Sequence, residues 1–265
     1  MGAFSTWSLS VFTYFQPIFA FFKMIHILSK EFTSFLNSLI AYVVIGVFLT
    51  GMGLLMWVFP ETSVLEYGYA DMETLFTLGP YVFIFLIPAI TMRSFAEESN
   101  GGTLEFLLTK PLSDWDIILG KFFACFFLVA LSLIPTLIYY FSIHALGSPE
   151  GNIDTPGVIG SYLGLVLLGG VFCSIGIFSS SVTNSQIVSF VLAAFLCYLL
   201  FAGFESFSLL NVWSEQTLFI RELGLAYHYD ALSRGLIDSR DLIYFGSVIT
   251  AMLLLTRINL GARSW

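Results

Sequence analysis

The chain has 265 residues, of which 57% are hydrophobic and only 11% charged, and its mean hydropathy is +0.89. This composition excludes a soluble domain, and the net charge of −8 excludes a nucleic-acid partner, because no basic patch is present to neutralise phosphates. Apolar residues come in runs of about twenty, enough to cross a hydrocarbon core of roughly 30 Å. The sequence therefore predicts an all-α polytopic membrane protein.

The N-terminal part of the chain changes character near residue 24. Residues 1–22 carry no charge, are interrupted by polar side chains and Pro17, and lack the basic region that a secretory signal needs. In residues 24–38, apolar side chains recur at three- and four-residue spacing opposite polar ones. That pattern is typical of an amphipathic helix lying flat on a membrane surface, so we expect an interfacial helix there.

Six segments are long and apolar enough to span a membrane. They cover residues 39–59, 75–92, 122–145, 157–179, 186–207 and 242–260. Only the polar, uncharged stretch 179–186 separates the fourth span from the fifth, so the count of six requires the chain to turn back there rather than continue as one kinked helix. Gly160 and Gly164 form a G-x-x-x-G pattern in the fourth span, which favours close packing within the chain in preference to dimerisation.

The distribution of lysine and arginine predicts the topology. If both termini share one side, that side holds seven of the ten basic residues, whereas loops 60–74 and 146–156 hold none and contain six acids. The positive-inside rule then assigns both termini and residues 93–121 to the cytoplasm, and loop 208–241 to the outside. That loop is too apolar for a free tail, so we expect helices resting on the outer face, one of them capped by Gly235.

Residues 93–121 form the only long polar interruption with both signs of charge between two strongly apolar blocks. We expect the polar, glycine-rich stretch 96–102 to end one helix, after which Thr103 N-caps a short apolar helix that Pro111 stops. A second short helix is expected after Ser113. An apolar helix outside the membrane needs a surface to bury against, and the pattern leaves open whether that surface is a protein or the lipid interface.

No catalytic or metal-binding pattern is present in the sequence. A phosphate-binding G-x-x-x-x-G-K-[ST] motif is absent, since Gly120-Lys121 is followed by Phe122 and lacks the upstream glycine. The three histidines are isolated, the three cysteines lie inside apolar runs, and ionisable groups are nearly absent from the spans. We therefore expect no enzymatic activity, no cofactor and no metal, and any transport must draw its energy from a partner.

These residues resemble the permease subunits of ABC-2 type transporters, in particular the gliding-motility-associated ABC permease of bacteria. The resemblance is carried by a G-T-L-E-x-L-L-x-x-P core that begins at Gly102, by Glu97-Glu98 before it and by Gly120-Lys121 after it. Further support comes from Lys30-Glu31-Phe32 and from the stretches 181–186 and 233–245.

The resemblance implies that residues 97–113 dock on a separate cytoplasmic ABC ATPase subunit. The residues that match the motif, and that we expect to couple to the ATPase, are Glu97, Gly102, Thr103, Leu104, Glu105, Leu107, Leu108, Pro111 and Lys121. A second, smaller contact is expected at Thr183 and Asn184, in the loop after the fourth span. The resemblance also implies a second permease subunit, identical or different, and a location in the bacterial inner membrane.

The expected organisation is a six-helix permease domain over residues 39–260, preceded by the interfacial helix. Residues 1–23 are expected to lie outside the mature protein, because the resemblance begins at Met24; an interfacial extension or a seventh span are the alternatives. Two other functions stay open, a non-transporting membrane anchor of a motility or secretion complex and, less favoured, an intramembrane enzyme. The spans specify no solute, so the sequence names no substrate.

Overall fold

The structure, a computed structural model, describes residues 22–103, 112–208 and 221–263, and within those residues the regular elements are all helical. Six helical segments are long and apolar enough to cross a membrane: Leu39–Trp57, Glu73–Asn100, Asp114–Leu146, Thr155–Val182, Gln186–Ser208 and Ser239–Ala262. The all-α, six-span architecture predicted from the sequence is therefore confirmed.

The helices follow one another with short connections in the described part of the chain. Their bounds are α1 over 22–36, α2 Leu39–Trp57, α3 Val64–Tyr67, α4 Glu73–Thr91, α5 Ala96–Asn100, α6 Asp114–Leu133, α7 Leu137–Leu146, α8 Thr155–Val182, α9 Gln186–Tyr198, α10 Phe204–Ser208, α11 Leu225–Ser233 and α12 Ser239–Arg263. A 3-10 turn, Ile134–Thr136, joins α6 to α7, and a π-helical turn, Leu199–Gly203, joins α9 to α10.

Helix α8 lies at the centre of the bundle and contacts α4, α6, α9, α11 and α12. Its membrane-spanning window is 67% buried, compared with 22% for α12 at the periphery. Its glycines and serines let neighbouring helices approach closely. A Cβ atom added at Gly160 would lie 2.7 Å from the Cα of Gly235, and one at Gly164 would lie 2.9 Å from the Cβ of Leu232. The G-x-x-x-G pattern therefore packs within the chain, as expected.

The third span begins earlier than the sequence predicted. Ser113 and Asp116 form a capping box, in which each side chain accepts a hydrogen bond from the backbone N–H of the other residue. From there the helix runs without a break into the span, so the separate short helix expected after Ser113 does not exist. The span changes to a 3-10 turn around Pro135, because proline has no N–H to continue the α-helical hydrogen-bond ladder.

The chain turns back between the fourth and fifth spans. Helix α8 ends at Val182 and α9 begins at Gln186, and the two helices pack along each other. The expected turn in the polar stretch is thus confirmed, and with it the count of six.

Helix α11 bears out the expectation of a helix in loop 208–241. It ends in a Schellman motif, in which the N–H of Gly235 donates to the carbonyl of Leu232 at 2.9 Å and that of Leu236 donates to the carbonyl of Ala231 at 3.2 Å. Gly235 adopts φ +77°, which only glycine tolerates easily, so it is the cap predicted from the sequence. Below, the end of the bundle that carries α1, α5 and the α8–α9 turn is called the α5 end, and the opposite end the α11 end.

Candidate functional site

Helix α5 occupies the stretch that the sequence predicted to be a polar break. Residues Ala96–Asn100 are helical, and the break comes at Gly101 and Gly102, where Gly102 adopts φ +67°. Glu97, Gly102 and Thr103 are exposed, and the Thr103 hydroxyl donates to the carbonyl of Glu98 at 3.3 Å. The predicted coupling residues Leu104, Glu105, Leu107, Leu108 and Pro111 lie outside the described residues, as does the short helix that Thr103 was expected to cap.

A serine of the central helix holds the start of α5. The Ser180 hydroxyl oxygen accepts hydrogen bonds from the backbone N–H groups of Phe95 at 2.9 Å and Ala96 at 3.0 Å, and it donates to the carbonyl of Met92 at 3.1 Å. The first N–H groups of a helix have no partner within the helix, so Ser180 caps α5 from another part of the chain. Helices α5 and α8 are thereby joined where the second span ends.

Asn184, which the sequence predicts to form a second contact, lies beside α5. The Ser99 hydroxyl on α5 donates to Oδ1 of Asn184 at 2.7 Å, so the α8–α9 turn and α5 are in direct contact. Thr183 lies in the same turn, and its side-chain oxygen accepts the N–H of Ser185 at 3.2 Å, ahead of the first turn of α9. Asn184 is therefore adjacent to Ser99 of α5, and both contacts with an ATPase stay predictions.

Lys121 lies inside the protein at the α5 end, with 2% of its side chain exposed. Its ammonium donates to the carbonyl of Ser94 at 2.6 Å, to Oε1 of Glu98 at 3.0 Å and to Oε1 of Glu31 at 3.3 Å. It also lies 5.1 Å from the centre of the Phe95 ring. One buried cation therefore joins α1, the turn after α4, α5 and α6, and any part it takes in coupling acts through these partners.

Gly120 explains how Glu31 reaches this lysine. Ile27 and Glu31 are four residues apart and lie on the same face of α1. A Cβ atom at Gly120 would lie 2.7 Å from Cγ2 of Ile27, so only glycine lets α1 pack this closely on α6. The Gly120-Lys121 pair thus supplies both the close approach and the charge that bind α1.

Sequence reasoning missed four partner residues at this end of the bundle: Glu31, Ser94, Ser99 and Ser180. A lysine next to an apolar run does indicate that an anion must lie nearby.

The arrangement joins helices and contains no cluster suited to metal chemistry in the described part of the chain. Residues 104–111 are preceded in the chain by α5 and followed by the capping box of α6. The side chains that hold these two flanks in place are Lys121, Ser180 and Asn184. At the same end, the Arg257 guanidinium lies 5.3 Å from the ring of Trp115, which ties α12 to the first turn of α6.

A family model described as ABC-2 family transporter protein matches residues 8–232 of the chain. Among curated proteins, none matches. Because the family match includes residues 8–23, the expectation that the resemblance begins at Met24 is wrong, and the start of translation stays a prediction.

Proposed function

The chain belongs to the ABC-2 family of transporter proteins, and on that basis we propose that it is a permease subunit that couples ATP hydrolysis in a separate ATPase to export or to a gliding-motility machine. Membership of this family implies association with an ABC ATPase. The chain has no phosphate-binding motif of its own, so the proposed partner supplies the nucleotide chemistry.

The observation that carries the proposal is the Lys121 cluster, which consists of the buried Lys121 ammonium and its partners Glu31, Ser94 and Glu98. Residues 104–111, which contain most of the family motif, connect α5 to α6. One ion pair joins the two helices, because α6 carries the ammonium of Lys121 and α5 carries Glu98. A displacement of the segment by a docked ATPase would therefore move both helices together, through Ser180 to the central helix and through Glu31 to α1. Contiguous contacts of this kind are the physical route by which a local movement reaches distant elements.

The proposed location is the bacterial inner membrane, with both termini and the α5 end in the cytoplasm. The support is the sequence distribution of basic residues. Exposed positions suit a labelling test: a cysteine at Glu66 should react with a membrane-impermeant thiol reagent in intact cells, and one at Asn100 should not. The opposite pattern would reverse the topology.

The docking role is tested with Leu108→Asp. If Leu108 seats in an apolar groove of the ATPase, a carboxylate there must be desolvated, at a cost of about 2–4 kcal/mol of association. The variant should accumulate normally in the membrane but lose the ATPase during purification of the complex. Leu236→Asp is the matched control, because Leu236 is 65% exposed at the α11 end, and it should retain the ATPase. Retention of the ATPase by Leu108→Asp would favour burial of this segment in the lipid interface instead.

The link to gliding motility rests on the sequence resemblance, and so does the proposed pairing with a second permease subunit, identical or different. A non-transporting anchor is the other candidate. The ATPase rate of the purified complex in vesicles separates the two, since a transporter should be stimulated by the molecule that it exports, whereas an anchor should respond to none.

A further inference from the structure

A cleft of about 290 Å³ opens beside the Lys121 cluster. Helix α1 forms one wall, and the end of α4 with helix α5 forms the other. Ser38 caps the start of α2 and Met92 the end of α4, so the cleft lies beside the ends of two apolar helices. The ends of spanning helices meet the headgroup layer of a bilayer. Its deeper lining is apolar and consists of Phe35, Ile40, Ala41, Ile90 and Leu128. A polar mouth above an apolar floor at the membrane boundary matches the polarity of a phospholipid.

The mouth of the cleft carries both signs of charge. Lys30 is 71% exposed, and its ammonium lies 3.9 Å from Glu31 Oε1. Arg93 Nε lies 3.3 Å from Glu97 Oε2. Glu98 faces the same space, and the hydroxyl groups of two serines on the α1 side also line it. The cleft thus offers donors for a phosphate and carboxylates for a cation within a few ångströms of each other.

Two buried polar atoms in this lining have no hydrogen-bond partner among the described residues, Oε2 of Glu98 and Nε of Arg93. The other oxygen of Glu98 is bound by Lys121, and the Arg93–Glu97 approach is not aligned for a hydrogen bond. Buried polar groups are almost always paired in folded proteins. Among the described residues, Glu98 thus has one oxygen without a donor, and Arg93 has one nitrogen without an aligned acceptor.

We propose that this cleft binds the headgroup of a phospholipid with a primary amine. The ammonium donates to Glu98, and the phosphate accepts from Arg93, with Lys30 at the rim. The apolar floor and the exposed Leu39 and Val43 of α2 then lie along the acyl chains. A soluble phosphoethanolamine shares the headgroup chemistry, but the apolar floor favours the lipid. A choline headgroup fits less well, because its trimethylammonium has no N–H to donate. The site does not depend on ATPase docking.

The test is native mass spectrometry of the purified, delipidated protein titrated with phosphatidylethanolamine or phosphatidylcholine of identical acyl chains. The wild type should bind the ethanolamine lipid more tightly by on the order of tenfold, the value of one hydrogen bond to a charged group. Glu98→Gln should remove this preference, whereas Asp114→Asn, a carboxylate at the same end outside the cleft, should keep it. Arg93→Gln should weaken both lipids and preserve their ratio. Equal binding of the two lipids by the wild type would overturn the proposal.

A second pair of variants tests the location without touching the ion pairs. Ser34→Trp fills the cleft and should abolish the selective binding, whereas Thr33→Trp, one residue away on α1 and outside the lining, should not. Unchanged selectivity in Ser34→Trp would place the lipid elsewhere and reject this site. Soluble phosphoethanolamine forms a third arm: if it binds as tightly as the lipid, the acyl chains contribute nothing and the lipid is not the ligand.

Discussion

At the α5 end of the bundle, a lysine ammonium and a serine hydroxyl join the helices and the close approach at Gly120 is to a side chain, whereas at the α11 end one helix lies directly on the backbone of another. Lys121 and Ser180 each contact several elements through hydrogen bonds of 2.6 to 3.3 Å. At the opposite end, Gly160 packs against Gly235 so closely that an added Cβ atom would lie 2.7 Å from its Cα. The same span, α8, takes part in both arrangements.

The α11 end is also secured by buried side chains. The Tyr229 hydroxyl donates to the carbonyl of Phe76 at 2.7 Å, and burial raises the pKa of Tyr229. His228 lies between Oδ1 of Asp241 at 2.7 Å and the carbonyl of Glu222 at 2.9 Å. These contacts fix α11 to the starts of the second and sixth spans.

The contrast between polar contacts and backbone packing indicates which end of the bundle can rearrange. Hydrogen bonds and ion pairs at a boundary can be exchanged for bonds to water or to a partner after a small movement, whereas close-packed backbones must separate before they can shift. The α11 end is therefore suited to serve as a fixed frame and the α5 end as the adjustable part. This agrees with the proposal that an ATPase acts at the α5 end.

The largest expected effect follows from removing the buried cation. Lys121→Met leaves the carboxylates of Glu31 and Glu98 without their common partner, which should lower the free energy of unfolding by about 3 kcal/mol. Thermal unfolding of the purified protein in detergent measures this. Arg240→Met removes an exposed cation at the α11 end and should have little effect. Equal effects from the two variants would mean that the cluster does not hold this end together.

A smaller loss is expected from Gly160→Ala. The added methyl group meets the backbone of Gly235, which cannot move aside as a flexible side chain would, so overpacking should cost about 2 kcal/mol. Gly46→Ala is the control, because a Cβ atom there has nothing within 4 Å, and it should be neutral or slightly stabilising. If Gly160→Ala were tolerated as well as the control, the α11 end would not be the rigid frame.

Adjacent serines in α8 provide a third test. Ser180→Ala leaves the N–H groups of Phe95 and Ala96 without their acceptor, and the expected loss is about 1–2 kcal/mol. The Ser179 hydroxyl is buried without a hydrogen-bond partner among the described residues, so Ser179→Ala should be neutral or stabilising. Hydrogen exchange of the Phe95 and Ala96 amides should rise in the first variant only; protection in both would show that another group caps α5.

The smallest expected effect is that of Tyr229→Phe. The change leaves the carbonyl of Phe76 without the hydroxyl and should cost about 1 kcal/mol, less than Gly160→Ala because backbone packing dominates this end. Tyr227→Phe on the same helix should have no measurable effect, since Tyr227 is 39% exposed. A loss larger than that of Gly160→Ala would reverse the assignment of what holds α11.

Much of the fold follows from local pattern. The six spans could be predicted because each is an uninterrupted apolar run of membrane-crossing length, and the Gly235 cap because glycine after a helical stretch favours the left-handed conformation. The start of the third span was misjudged, since Ser113 and its acidic neighbours cap a separate short helix and a longer span in the same way. The position of a cap says where a helix begins and not how far it continues.

The sequence by itself determined that this chain has six segments able to cross a membrane and which residues carry the family motif, because length, apolarity and motif spacing are properties of the chain alone. Only the tertiary structure decided that Lys121 is buried, since its partner Glu31 lies 90 residues away in sequence. It also decided that Ser180 caps α5 across 84 and 85 residues. Partners of this kind leave no periodic pattern, because they meet only after the spans have packed.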